Sequence, residues 1–400
     1  MKSFLNPFKP GAGHAPPYLA GREEVTLEFQ ELLKQEIILE NLVLTGLRGV
    51  GKTVLLDKLK PLAVEAGWSW AGSEFSEASS LSEERIATRI LADLATITSS
   101  WILRQQENVE FGFAGQQKIV DVKLNYELLK ACYDQTPGLV SDKLKAVLEL
   151  TADCMKPVDT KGLIFAYDEA QNLADHAGKN EYPLSLLLDV FQSIQKKNIP
   201  MMLVLVGLPT LFPKLVDART FAERMFHVIF LKRLTDFASR EAITKPIEQT
   251  GCPYPLSEEL ISSIIQSSGG YPYFIQYFCK EVYDVAVQRH SVSRPLEVSL
   301  HDITRKLDHD FFDGRWARTT DRQRDLLRVI SQLENCDDEF TVKQIVEKSI
   351  EMSVGEFKSS HVNQMLSKLS ENGIIFKNRH GKYSFAVPLL GQFISRQESL

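Results

Sequence analysis

The chain has 400 residues, 44% hydrophobic and 24% charged, an ordinary globular composition that excludes a disordered or low-complexity protein. Its length suits two or three domains. With 46 basic and 52 acidic side chains and a formal charge of −6, it is not built to coat nucleic acid over its whole surface, although a local basic patch stays open.

Residues 1–20 are rich in Pro, Gly and Phe, lack periodicity and read as an extended lead-in. Val25, Phe29, Leu32 and Leu33 give helical spacing from about Glu23 to Lys34. Asn41–Thr45 is a short buried strand, followed by a glycine-rich turn and a helix from Lys52 to Lys60. Trp68-Ser69-Trp70 predicts a second strand and Ser82–Leu103 a long helix. Two β-like runs around Gly115, between Val109 and Leu124, predict an inserted hairpin, and Lys143–Met155 another helix.

Leu163–Tyr167, Met202–Val206 and Val228–Leu231 are strands, with a helix over Leu184–Lys196 between the first two. They are continuous apolar runs, the pattern of a parallel sheet covered by helices on both faces. From Asp236 to about Arg289 the pattern is helical, broken at Gly251–Pro255 and at Gly269-Gly270-Tyr271-Pro272. Ser291–Pro295 reads as a linker, and helices resume from Leu300. Helices at Asp321–Leu333, Val342–Lys348 and Phe357–Glu371 precede two strands, Ile374–Lys377 and Lys382–Val387, around a His380-Gly381 turn. Three helices and a β-hairpin are the order of a winged helix-turn-helix.

Cys132, Cys154, Cys252, Cys279 and Cys336 are scattered, with no CxxC or zinc spacing, which predicts reduced thiols in a reducing compartment. Met1–Pro7 lacks the apolar stretch of a signal peptide. The longest apolar run, Met201–Val206, is far short of the roughly 18 residues of a membrane span. The expectation is a soluble, cytoplasmic protein without membrane contact.

Gly46-Leu47-Arg48-Gly49-Val50-Gly51-Lys52-Thr53 matches GxxxxGK[ST] in full, after an apolar strand and at the start of a helix. The glycines let the backbone wrap around phosphates, and the loop amides and helix N-terminus supply partial positive charge. Gly46 through Val54 are therefore the candidate nucleotide-binding residues. Lys52 would reach the β- and γ-phosphates, and the Thr53 hydroxyl would bind Mg²⁺. Asp168 and Glu169 close the strand Leu163–Tyr167, at the sheet edge where open α/β sheets bind ligands. Asp168 is the second candidate Mg²⁺ residue, and Glu169 is the candidate base that polarises the attacking water for ATP hydrolysis.

With these motifs the chain resembles P-loop ATPases of the AAA+ and STAND-like group, in particular bacterial and archaeal ATPases with an origin-recognition-like AAA domain. Pro16–Glu23, the P-loop, Tyr167-Asp168-Glu169-Ala170, Gly207-Leu208-Pro209 and Gly269-Gly270-Tyr271-Pro272 carry the resemblance over roughly residues 6–290. It implies adenine contacts from Tyr18, Gly21 and Arg22, and a nucleotide contact from Pro272 at the start of a lid helix. At the end of the fourth strand, where the family places a polar sensor, only Thr210 is offered. No arginine follows Gly269-Gly270, so the family's lid arginine is missing, as in STAND-like members. Arg224 lies where a γ-phosphate-sensing or finger arginine of the family would. The fold expected is α/β: a P-loop NTPase parallel sheet flanked by helices, then an all-α lid and a winged helix-turn-helix. The boundaries expected are 1–234 (with the hairpin near 108–125), 235–314 and 315–400.

Residues 315–400 hold 13 basic and 11 acidic side chains, a balance of +2 against −8 for the rest. Lys358, Lys377, Arg379 and Lys382 are the candidate contacts to duplex DNA. A winged helix serves equally as a docking module, so a protein partner is the other reading, and a homo-oligomer is compatible with both. The function expected is an ATP-driven switch with a slow ATPase, the winged helix carrying the output. The rivals are an ATP-tuned DNA-binding regulator and a scaffold that holds nucleotide without hydrolysing it.

Overall fold

Apolar runs bounded by polar turns become the strands of the central sheet. The computed structural model describes residues 5–11, 13–109, 116–176, 178–250, 255–291, 298–354, 357–379 and 381–397, and only the backbone within 102–122, 290–291 and 379. Its strands are β1 (Asn41–Gly46), β2 (Trp68–Ala71), β3 (Ile102–Val109), β4 (Gln116–Lys123), β5 (Gly162–Tyr167), β6 (Met201–Gly207), β7 (Phe226–Leu231), β8 (Phe340–Thr341), β9 (Ile375–Arg379) and β10 (Lys382–Phe385). The first sheet has the order β2-β5-β6-β1-β7. β2 runs parallel to β5, β5 to β6 and β6 to β1, with Leu163 opposite Met201 and Leu42 opposite Val204. Every residue of β1, β5 and β6 is buried, as helices on both faces require.

By contacts the chain divides into two compact units, one of residues 25–45 and 55–230, the other of residues 1–24, 46–54 and 231–400. The first unit holds the sheet and helices Glu83–Thr98, Val140–Met155 and Pro183–Gln195, whose apolar faces join Phe165, Leu203 and Leu205 in one core. The helix expected to reach Leu103 stops at Thr98. Thr98-Ser99-Ser100 ends it: Ser99 Oγ bonds the Ala95 carbonyl and Thr98 Oγ1 the Leu124 carbonyl, a competition with helix continuation that hydroxyl side chains offer. The chain then enters β3, antiparallel to β4 from Ile102 opposite Lys123 to Val109 opposite Gln116. The expected hairpin therefore exists, but its first strand begins at Ile102 and its turn, with Gly115, lies outside the described residues. A further helix, Tyr126–Gln135, went unanticipated; Asn125 caps it by accepting the Leu128 N–H at 3.0 Å.

The second unit contains helices Asp236–Thr250, Glu258–Ser268 and Pro272–Ser291, broken where the sequence indicates. Leu300–Leu307 continues into a π-turn, Asp308–Phe312, and a short helix, Asp313–Trp316. Helices Asp321–Ser331, Val342–Glu351 and Ser359–Glu371 then lead to the hairpin β9–β10. β8 adds a third strand on β10 (order β8-β10-β9), and a last helix, Leu390–Gln397, follows. This is the element order of a winged helix. The third strand and the last helix were not anticipated, and the expected linker at 291–295 falls largely outside the described residues. The lead-in is anchored in this unit: Asn6 Nδ2 donates to the Lys280 carbonyl at 2.8 Å, and Phe8 packs edge-on against Tyr283. No described helix is long and apolar enough to cross a membrane. Cys132, Cys154, Cys279 and Cys336 are free thiols; Cys252 lies outside the described residues.

Candidate nucleotide site

The glycine-rich loop leaves β1 and ends in helix Lys52–Glu65. Gly49 (φ +79°) and Gly51 (φ +89°) adopt left-handed backbone, which only glycine enters without strain. A Cβ on Gly51 would meet nothing within 4 Å, so the loop there is open to a ligand approaching its backbone. Lys52 is buried and its Nζ donates to the Gly46 and Leu47 carbonyls at 2.9 and 3.0 Å. Its charge is held inside the loop it closes. Thr53 is exposed and Val54 half-buried.

Other residues of the same unit brace this loop. Arg22 is buried, and its Nη2 donates to the Val50 carbonyl and the Lys232 carbonyl, each at 3.0 Å. Burial lowers the pKa of this guanidinium, against the opposing pull of Glu23. A Cβ on Gly21 would sit 2.7 Å from Ala238 Cβ, and Tyr18 packs half-buried on the unit's apolar cluster. Pro272 starts helix Pro272–Ser291, and the next residue, Tyr273, donates its N–H to the Gly49 carbonyl at 3.1 Å. The loop, Arg22, Gly21 and the N-terminal end of the lid helix are thus gathered in one unit.

Asp168 and Glu169 belong to the sheet unit. Beyond β2 the chain continues alongside β5: Asp168 N–H donates to the Ser73 carbonyl at 3.0 Å and Phe75 N–H to the Asp168 carbonyl at 2.9 Å. Phe75 stacks on Tyr167 with centroids 4.1 Å apart. Gly72, at φ +128°, makes this approach possible, because a Cβ there would lie 1.9 Å from the Ala166 carbonyl oxygen. Asp168 is buried, and its Oδ1 accepts the Glu169 N–H at 2.7 Å. Glu169 itself is left-handed (φ +52°). For a residue with a Cβ that costs about 1–3 kcal/mol, strain that concentrates at functional turns.

Gln171, which the sequence reading missed, ties this turn to the end of β6. Its Nε2 donates to Glu169 Oε2, while its Oε1 accepts the Leu208 N–H at 3.0 Å. Lys214 Nζ donates to the Gln171 carbonyl at 2.9 Å, and burial pushes that ammonium's pKa down. Gln171 thus links Glu169 to the chain just after β6. Thr210 is half-buried and precedes helix Leu211–Ala218 without capping it. The only hint in the sequence was an amide two residues after the Asp-Glu pair. Arg224 is exposed on the four-residue helix Ala222–Met225.

In the C-terminal segment 315–400, Lys358 and Lys377 are exposed and Lys382 half-buried; the side chain of Arg379 lies outside the described residues. No group of three or more His, Cys, Asp and Glu is gathered as a metal site among the described residues. The Thr53 hydroxyl and the Asp168 carboxylate are each oxygen donors of the kind Mg²⁺ takes, a cation that keeps water and phosphate oxygens for most of its ligands.

Residues 309–394 match a family model described as "Domain of unknown function (DUF8462)". No curated protein matches the sequence. Among solved structures the chain is similar to the Walker-type ATPase PABY2304 of Pyrococcus abyssi, with a TM-score of 0.56, 15% identity and coverage of 94% of this chain and 96% of that one. It is also similar to the ORC2 protein of Aeropyrum pernix, in its ADP form (TM-score 0.54, 13% identity, 98% and 100% coverage) and in its ADPNP–ADP complexes (0.53, 14%, 98% and 98%). The fold of this chain is that of the P-loop ATPases with an origin-recognition-like core.

Proposed function

We propose that this chain binds ATP with Mg²⁺ at Gly46–Val54, hydrolyses it slowly, and uses its nucleotide state to control the C-terminal winged helix. One observation supports this above the others: a full GxxxxGK[ST] loop with left-handed Gly49 and Gly51 is bonded through the Gly49 carbonyl to Tyr273 of the lid. In this reading the loop amides and Lys52 bind the phosphates, and Tyr18, Gly21, Arg22 and Pro272 frame the base. When bound, Mg²⁺ would neutralise charge on the phosphates. Thr53 and Asp168 would hold it. Glu169 would accept the proton of the attacking water, and Gln171 would orient its carboxylate. Arg224, exposed on its short helix, would sense the γ-phosphate of its own chain or act as a finger on a neighbouring copy.

A second reading, an ATP-tuned regulator that binds duplex DNA, draws on exposed Lys358 and Lys377 in the winged helix. One experiment separates the readings: Mg²⁺-dependent phosphate release by the wild type, Lys52→Ala and Glu169→Gln, with and without duplex DNA. Activity lost in both variants supports the ATPase site, and stimulation by DNA favours the regulator. A wild type that binds ATP without hydrolysing it leaves a scaffold and removes the role given to Glu169.

A further inference from the structure

The second unit carries an arginine pair beside the phosphate loop that the motifs did not announce. Arg48 projects from the loop and is exposed. The neighbouring Gly49 carbonyl accepts the Tyr273 N–H at 3.1 Å, and a Cβ on Gly49 would lie 3.2 Å from Tyr273 Cβ. The Tyr273 ring packs 5.5 Å from that of Phe311, in the π-turn. The Arg315 guanidinium lies 4.6 Å over the same Phe311 ring, and its Nη1 donates to the Phe311 carbonyl. The π-turn, a local departure that often marks a functional position, sets Phe311 between the loop's lid contact and Arg315.

The charges here are left uncompensated. Among the described residues no carboxylate forms an ion pair with Arg48 or Arg315. The acids of the π-turn are engaged elsewhere: Asp308 pairs with Arg396 at 2.8 Å, and Asp310 accepts from Tyr277 Oη at 3.2 Å with His309 at the same distance. Burial lowers the pKa of Arg315, and the positive charges of Arg48 and Arg318 push it down further. Two guanidiniums that repel each other beside a phosphate-binding loop call for a dense anionic ligand, and planar guanidinium forks suit phosphate oxygens.

We propose that Arg315, acting with Arg48, reads the terminal phosphate of a nucleoside triphosphate held in the loop. This rests on the nucleotide-binding reading above and deepens it. Arg315 enters from the helix after the π-turn, not from the start of the lid helix, where the sequence offers no arginine. A charge-assisted bond to phosphate corresponds to roughly tenfold to a hundredfold in affinity. Because ADP lacks the phosphate concerned, the arginine pair gives the loop its preference for the triphosphate.

The test is calorimetric titration of the full chain with ATPγS and with ADP, in Mg²⁺, for the wild type, Arg315→Gln, Arg315→Lys and Arg48→Gln. Arg315→Gln should weaken ATPγS by about tenfold to a hundredfold and ADP by less than about threefold. Arg315→Lys should recover part of the loss. Arg48→Gln changes only an exposed loop side chain, so it should show the same selective loss even if Arg315→Gln fails to fold. Equal weakening of both nucleotides, or of neither, overturns the proposal while the nucleotide site stands. A wild type that binds neither nucleotide overturns both.

Discussion

Arg22 offers a direct measure of how firmly the phosphate loop is held. Replacing it by Met keeps the aliphatic stem and removes the donor that bonds the Val50 and Lys232 carbonyls, each at 3.0 Å. A hydrogen bond from a charged donor contributes about 1.5–3 kcal/mol, so two contribute roughly 3–6 kcal/mol. Arg22 is only 8% exposed as a residue, and desolvation of its guanidinium offsets several kcal/mol of that gain. The net loss expected at the loop is about 2 kcal/mol, or roughly thirtyfold in its opening equilibrium. Hydrogen exchange followed by mass spectrometry, in the regime where exchange reports equilibrium opening, should show peptides covering 46–54 exchanging about thirtyfold faster. A peptide over the winged-helix segment 359–371 serves as the internal control. A change below about threefold at 46–54 would refute the view that Arg22 braces the loop.

Glu169→Gln should lower phosphate release on the order of a hundredfold or more while the dissociation constant for ATP stays within about threefold; unchanged release would show that another group activates the water. Gly72→Ala forces a Cβ to within 1.9 Å of the Ala166 carbonyl at φ +128°, so the thermal midpoint of the sheet unit should fall by about 5 °C or more. A midpoint equal to the wild type would contradict the close strand approach that holds Asp168. Asp337 is a largely exposed carboxylate whose pKa partial desolvation raises, against the pull of Arg233 and with a further rise from Asp338. A raised carboxyl pKa means that its ionised form is disfavoured in the fold. Its stability contribution is present below the ordinary value of 3.8 and is lost as pH rises through the folded value. Asp337→Asn should therefore raise the melting temperature at pH 7 and leave it unchanged near about pH 3. A lower melting temperature at pH 7 would reverse the sign and sink the argument.

Chemistry written in short-range pattern was legible in the sequence. The glycine loop, Lys52, Thr53 and the Asp168-Glu169 pair announce themselves because backbone wrapping and strand termination leave local signatures. Continuous burial of β1, β5 and β6 likewise follows from their unbroken apolar runs. What escaped depends on tertiary placement. Gln171 gains meaning only because β6 ends beside the turn after β5, and nothing in its neighbours specifies that. Arg315 stands in a charged, helical stretch where an arginine is usually solvated, and the π-turn that sets Phe311 under it has no sequence signature. The helix ending at Thr98 instead of Leu103 was overrun because apolar spacing continues through Ile102 and Leu103; the three hydroxyl residues outweighed it. Helix Leu390–Gln397 was missed because it starts only two residues after Pro388, where a chain more often leaves regular structure.

The loop's place among contacts gives the proposed switch a physical route. Residues 46–54 pack with residues 231–400. From Gly49 a run of direct contacts leads to Tyr273, and from Tyr273 to Phe311. Phe311 meets Phe312 edge-on at 5.0 Å, and Phe312 stacks on Phe393 of the last helix at 5.1 Å. The same helix is pinned by Arg396 to Asp308 in the π-turn. Packed aromatic rings and a two-pronged ion pair do not deform smoothly; they hold or they re-pair. A phosphate that draws Arg48 and Arg315 together would displace the ring on which Arg315 rests, and the next ring in line is buried against the last helix. The neutral partner in this run is Tyr273, whose backbone binds the loop while its side chain touches the π-turn. That makes it the residue through which loop geometry and helix geometry must agree.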